Sequence, residues 1–157
     1  MLEGKVVLVT GGSSGIGRIT AQAIAKAGAK VAVTGRRPEE GAECVALIER
    51  AGGQALFVQG DVSHEADIEK AVAETVKKFG KLDAAFNNAG IGAAGGRLAD
   101  MDAASFDDMF NINVRGVFLS MKHEIRQFLK QGTGGAIVNC SSVQGHVTIA
   151  GSGHYPA

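Results

Sequence analysis

Thr10-Gly11-Gly12-Ser13-Ser14-Gly15-Ile16-Gly17 follows the apolar run Val6-Val7-Leu8-Val9 and precedes a helix-forming stretch. Glycines at such a strand-to-helix turn permit positive φ and let backbone N–H groups come close to a phosphate. The start of the helix adds partial positive charge favourable to an anion. The spacing separates three kinds of phosphate loop. An NTPase loop requires Gly-x4-Gly-Lys-Ser/Thr; Gly12 and Gly17 have that spacing, but Arg18 and Ile19 stand where the lysine and the magnesium-binding hydroxyl belong. The Gly-x-Gly-x-x-Gly dinucleotide fingerprint does not fit either. What is present is Gly11-x-x-x-Gly15-x-Gly17.

Four more short apolar runs follow, Val31-Ala32-Val33, Ala55-Leu56-Phe57-Val58, Ala84-Ala85-Phe86 and Ala136-Ile137-Val138. Continuous apolar runs fit strands buried on both faces, as in a parallel sheet covered by helices. Between the third and fourth runs, Ile68, Val72, Val76 and Phe79 recur at helical spacing. Between the fourth and fifth, Phe110, Val114, Val117, Met121, Ile125 and Phe128 do so, which predicts one long helix burying that stripe. The order β-α-β-α-β-α-β-α-β with right-handed crossovers predicts an α/β fold, a doubly wound parallel sheet that is Rossmann-like, as a single domain over residues 1–157. Every predicted strand ends in small, polar or glycine residues: Gly35-Arg36-Arg37, Gly60-Asp61, Asn87-Asn88-Ala89-Gly90 and Asn139-Cys140-Ser141-Ser142. In open α/β sheets ligands bind at that edge.

Composition bounds the rest. The chain has 157 residues, 45% hydrophobic and 20% charged, with 16 basic and 16 acidic side chains and no net charge. The balance removes the electrostatic case for nucleic acid or an anionic membrane surface. No apolar run approaches the ~20 residues of a membrane span, and Met1-Leu2-Glu3-Gly4-Lys5 lacks the features of a signal peptide. A cytoplasmic protein is the expectation. Glycine is the outlier at 23 residues against two prolines, which fits tight turns rather than disordered linkers. Cys44 and Cys140 match no metal or disulfide pattern, and the four histidines form no zinc motif.

Thr-Gly-x-x-x-Gly-x-Gly followed by Asn-Asn-Ala-Gly resembles the short-chain dehydrogenase/reductase family of nicotinamide-dependent oxidoreductases, and the resemblance spans the whole chain. It implies hydride transfer between a nicotinamide and a carbonyl or secondary alcohol. It implies cofactor contacts from Gly11, Ser13, Ser14, Gly15, Ile16 and Gly17, from the adenine-contacting pair Asp61-Val62, and from Asn88, Ala89 and Gly90. By the same resemblance Asn113 helps hold a proton-relay water, Ser142 hydrogen-bonds the substrate oxygen, and Tyr155, the only tyrosine and thirteen residues later, transfers the proton. Ser141 is one residue out of spacing. A free phenol has a pKa of about 10, so such a base works only beside positive charge. In the family part of that charge is a lysine four residues after the tyrosine, a position past Ala157; the expectation is that these residues form the N-terminal part of an enzyme of about 250 residues. A non-catalytic dinucleotide-binding module is the second reading.

Cofactor choice turns on the end of the second strand. An acidic residue there holds the ribose hydroxyls of NAD, and arginine accommodates the 2′-phosphate of NADP. Gly35 occupies the position of the acid, eighteen residues after Gly17, and Arg36 and Arg37 follow. Guanidinium forks suit phosphate, so the reading is NADP, with NAD as the alternative. The missing acid also counts against a methyltransferase using S-adenosylmethionine. The loop at residues 91–100 would shape the substrate pocket, and the helix around residues 106–130 would serve a homo-oligomer, a tetramer or dimer as is common in the family.

Overall fold

The computed structural model describes residues 1–92, 96–147 and 149–155. One expectation therefore falls partly outside the described residues: the substrate loop at residues 91–100.

Five strands form one parallel sheet: β1 (Val6–Thr10), β2 (Lys30–Gly35), β3 (Gln54–Gln59), β4 (Ala84–Asn87) and β5 (Ala136–Asn139). Their order across the sheet is β3-β2-β1-β4-β5. The first-formed strand is thus central, and the winding reverses between β1 and β4. Helices α1 (Gly15–Lys26), α2 (Pro38–Arg50) and α3 (Glu65–Phe79) make the first three crossovers. The last crossover holds α4 (Ala103–Phe110), a π-helical turn at Asn111–Arg115, and α5 (Gly116–Gln131).

Strand side chains alternate between faces, and this builds the two cores. Val7, Val9, Val31 and Val33 pack on one face with Ala21 of α1 and with Cys44 and Ile48 of α2. Leu8, Ala32 and Val58 pack on the other face with Ala71 and Val72 of α3 and Phe128 of α5. Every residue of β1 is buried, as two-sided coverage requires. At the start of the sheet the Asp83 carboxylate accepts the Val6 N–H at 2.8 Å and pairs with Lys81 at 2.9 Å.

On α3, Ile68 and Val72 are buried, and Val76 and Phe79 pack partly buried against the same core. One expectation is corrected. The fourth connection is not one regular helix, and of the Phe110–Phe128 stripe only Phe128 is buried. Val114 and Ile125 are 53% and 42% exposed. The buried residues of α5 are instead Gly116, Leu119, Ser120, His123, Glu124 and Phe128. Polar anchors set this rotation: His123 Nε2 and Lys122 Nζ both reach Glu65 of α3, at 3.0 and 2.5 Å, while Glu124 turns under the sheet to Asn87. β5 lies at the edge of the described sheet, with Val138 60% exposed.

Candidate functional site

A cleft of about 500 Å³ opens at the carboxyl ends of the strands, across the reversal between β1 and β4. Four segments line it. The β1–α1 turn supplies Gly11, Ser13 and Ser14, with Ile16 from the first turn of α1, and Gly35 at the end of β2 leads into Arg36 and Arg37. The β3–α3 loop supplies Gly60, Asp61 and Val62, and the segment after β4 supplies Asn88, Ala89, Gly90 and Ile91, with Ile112 closing one side.

Close packing of backbone makes this geometry. Gly11 sits at φ +64°, and a Cβ there would lie 2.8 Å from the Ala89 backbone. A Cβ on Gly17 would lie 2.3 Å from the Gly11 carbonyl oxygen and 2.6 Å from Asn88 Nδ2. Gly17 is buried and does not line the cleft; its part is to seat α1 against the turn. One hydroxyl stitches the two loops together: Thr10 Oγ1 accepts the N–H groups of Asn88 at 3.1 Å and Ala89 at 3.2 Å. Asn88 Nδ2 donates back to the carbonyls of Thr10 and Gly11. Arg18, at the place of the NTPase lysine, instead braces the loop: its Nε donates to the Ser13 carbonyl at 2.8 Å, and it pairs with Glu43 of α2 at 2.8 Å.

The first turn of α1 faces the cleft, and the Ser14 side chain does not cap it. Its leading N–H groups are thus not spent on a cap and suit an anion. The Ser14 hydroxyl instead accepts a 2.7 Å bond from Arg37 Nη2. The two arginines divide the rim: Arg37 reaches the glycine-rich loop, and Arg36 lies 3.8 Å from the Asp61 carboxylate. Burial works to raise the Asp61 pKa, but bonds from the Ser63 N–H and hydroxyl, with the charges of Arg36 and His64, outweigh it and hold it below the usual carboxylate range. Past Asp61 the cleft adjoins a second recess of about 390 Å³ that includes His64 and Arg115. A side-chain-free position at Gly35, two guanidinium groups and an open helix N-terminus fit a ligand carrying phosphates beside a sugar.

Ten of the predicted cofactor residues line the cleft; Gly15 and Gly17 are not among the lining residues. The three predicted catalytic residues lie outside that lining. Asn113 sits in the π-helical turn and is committed to the segment after β4. Its Oδ1 accepts the Ile91 N–H at 2.9 Å, and its Nδ2 donates to the Ile91 carbonyl at 2.9 Å. Ser142 follows β5 and accepts the Gln144 N–H at 3.2 Å. Tyr155 is half-buried, its N–H bonded to the Ser152 carbonyl at 2.9 Å. Of the lining residues, Ile91 was expected in the substrate loop rather than beside the cofactor, and Ile112 was given no role. Arg37 too was left without a separate role, since nothing in the sequence says which of two adjacent arginines turns to Ser14.

The chain is 43% identical over 154 residues to 2,5-dichloro-2,5-cyclohexadiene-1,4-diol dehydrogenase of Sphingobium indicum, covering 98% of this chain and 60% of the relative. It is 44% identical over 147 residues to the A-factor type gamma-butyrolactone 1'-reductase (1S-forming) of Streptomyces virginiae, covering 94% and 57% respectively. Among solved structures, levodione reductase superposes with a TM-score of 0.94 at 36% identity, over 99% of this chain and 61% of that one. NAD+-bound xylitol dehydrogenase also gives 0.94, at 33% identity, over 99% and 59%. The chain thus spans about 60% of the length of the relatives it matches. The family model for short chain dehydrogenase matches residues 5–157. Fold, glycine-rich turn and relatives agree, and the chain belongs to the short chain dehydrogenase family.

Proposed function

We propose that this chain forms the dinucleotide-binding part, and carries the proton-transfer residues, of an NADP-dependent oxidoreductase acting on a carbonyl or secondary alcohol. The observation that carries the proposal is the cleft at the β1–β4 reversal, with the glycine-rich turn, Arg36 and Arg37, residues 61–62 and residues 88–90 facing one space. Gly11, Ser13, Ser14, Gly15 and Ile16 receive the pyrophosphate at the head of α1. Asp61 and Val62 border the adenine end, while Asn88, Ala89 and Gly90 run beside the rest of the cofactor. Arg37, held by Ser14 next to Gly35, meets the 2′-phosphate with Arg36. When bound, the nicotinamide gives or takes the hydride.

The chain's own residues handle the proton and the oxygen. Tyr155 donates a proton to the carbonyl oxygen in reduction and accepts one from the alcohol in oxidation. Ser142 hydrogen-bonds the same oxygen. The Asn113 carboxamide is spent on Ile91, so what it offers a relay water is its main-chain carbonyl. The names of the relatives cover a diol and a lactone, so the substrate is proposed as this class.

Oxidation of NADPH and NADH by the full-length protein over a panel of ketones and aldehydes tests the reading. NADPH is expected to be preferred; equal use of the two, or preference for NADH, overturns the NADP assignment. Tyr155→Phe is expected to abolish turnover and leave dinucleotide binding intact, and retained activity removes Tyr155 from the mechanism.

A further inference from the structure

Behind the rim lies a buried polar cluster that takes no part in the reaction just described. Glu124 of α5 is fully buried, and Asn87, the last residue of β4, is 2% exposed. The Asn87 amide nitrogen donates to Glu124 Oε2 at 3.1 Å and to Asn139 Oδ1, at the end of β5, at 3.0 Å. Those two bonds use both amide hydrogens. Two oxygens remain: Asn87 Oδ1 and Glu124 Oε1 are buried and have no partner among the described residues. They are the remaining polar atoms of two groups already joined through Asn87 Nδ2 and Glu124 Oε2. While Glu124 is ionised both are acceptors, and neither can satisfy the other.

Among the described residues no cation pairs with this carboxyl. On α5 itself, Lys122 and His123 turn to Glu65 of α3. Lys81 turns to Asp83 at the opposite end of β4. Strands β1, β4 and β5 carry no ionisable residue, and Cys140, just after β5, is an exposed thiol. Burial pushes the Glu124 pKa from 4.5 up to about 7, and the Asn87 hydrogen bond works the other way. A proton on Oε1 makes that oxygen a donor. A carboxylic acid and a primary amide then close a ring of two hydrogen bonds, each group donating once and accepting once. One proton satisfies both leftover oxygens and removes a buried charge.

We propose that Glu124 is a positioning residue held as the neutral acid, which closes this acid–amide ring with Asn87 and fixes the ends of β4 and β5 behind the dinucleotide rim. The ring lies directly under functional backbone. The Asn87 carbonyl accepts the Cys140 N–H at 2.8 Å, the next residues along β4 are Asn88 and Ala89, and Ser141 and Ser142 follow Cys140. Ionising Glu124 sets a buried charge against the Asn87 Oδ1 atom and loosens the joint. The link to affinity rests on the proposed dinucleotide site; the pairing itself does not.

Infrared spectroscopy of the full-length protein reads the pairing. A carbonyl band of a protonated carboxylic acid is expected near neutral pH, lost as the pH rises and missing from Glu124→Gln. Its absence from the wild type in mildly acidic solution overturns the proposal. Glutamine mimics the neutral acid, donating and accepting at the same two positions, so E124Q is expected to fold; failure of E124Q to fold also overturns it. NADPH affinity reads the positioning. From about pH 6 to about pH 9 it is expected to fall about fivefold or more in the wild type and to stay nearly constant in E124Q. Comparing the two proteins cancels titration of the ligand itself. Parallel profiles overturn the positioning role. If no dinucleotide binds at any pH, the proposed function fails, and the infrared band still decides the state of Glu124.

Discussion

Thr10 shows how much a single side chain can hold at this site. Its hydroxyl oxygen is the shared acceptor for two N–H groups of the β4 segment, and Thr10 is itself 2% exposed. Valine has nearly the same shape and no acceptor. Thr10→Val is expected to cost about 1–3 kcal/mol, the penalty for buried donors left without partners, and to weaken dinucleotide binding with it. Thr10→Ser keeps the oxygen and is expected to restore most of both. Thermal unfolding and a fluorescence titration of the three proteins decide; equal stability of T10V and wild type would show that the two N–H groups find other partners.

At the level of elements, what could be read from the sequence depended on what buries each element. The strands were legible because short continuous apolar runs bounded by glycine and polar residues fit a covered parallel sheet, and β1 and the middle of β2 are buried accordingly. So was α3, whose stripe from Ile68 to Phe79 is apolar throughout. The glycine-rich turn was legible because backbone packed this closely admits no other residue at Gly11 or Gly17. Helix α5 was misread for a definite reason: an apolar count cannot foresee that Ser120, His123 and Glu124 go inside, each burial being specific to a partner on another element. The π-helical turn left no apolar signature either. Val114, Phe118, Ile125 and Leu129 lie on one side of this segment, and Phe118 and Leu129 are 62% and 76% exposed. We propose that a second copy of the chain packs there in a homo-oligomer. Phe118→Lys with Leu129→Lys is expected to shift the full-length protein toward monomer in sedimentation velocity, and an unchanged assembly would move the contact elsewhere.

For the whole molecule, buried and paired carboxylates pull the pH dependence of stability in opposite directions. Hydrogen bonds from Lys122 and His123 hold Glu65 down to about 2. Asp83 is lowered although burial opposes it, because Lys81 and the Val6 N–H outweigh the burial. A depressed carboxylate binds fewer protons folded than unfolded, so its stabilisation is complete above the ordinary value and is lost as pH falls through the folded value. Glu124 has the opposite sign. Raised from 4.5 to about 7, it stabilises fully below 4.5, and that contribution is lost as pH rises through about 7. Melting temperature is therefore expected to peak near pH 5 and fall toward about pH 8, with E124Q removing the fall; a wild type with no such decline would contradict the assignment of Glu124. The order of strands across the sheet has a consequence for a chain still being made. β1 leaves the ribosome first, yet one of its two neighbours is β4, which follows β2 by roughly fifty residues, or about 3–10 s of synthesis. During that interval β1, β2 and β3 can assemble as a half-sheet in which β1 is an edge strand. The N–H and C=O groups from Val6 to Val9 on that side then have no strand to pair with, so the most buried strand of the finished protein is an open edge in the nascent one.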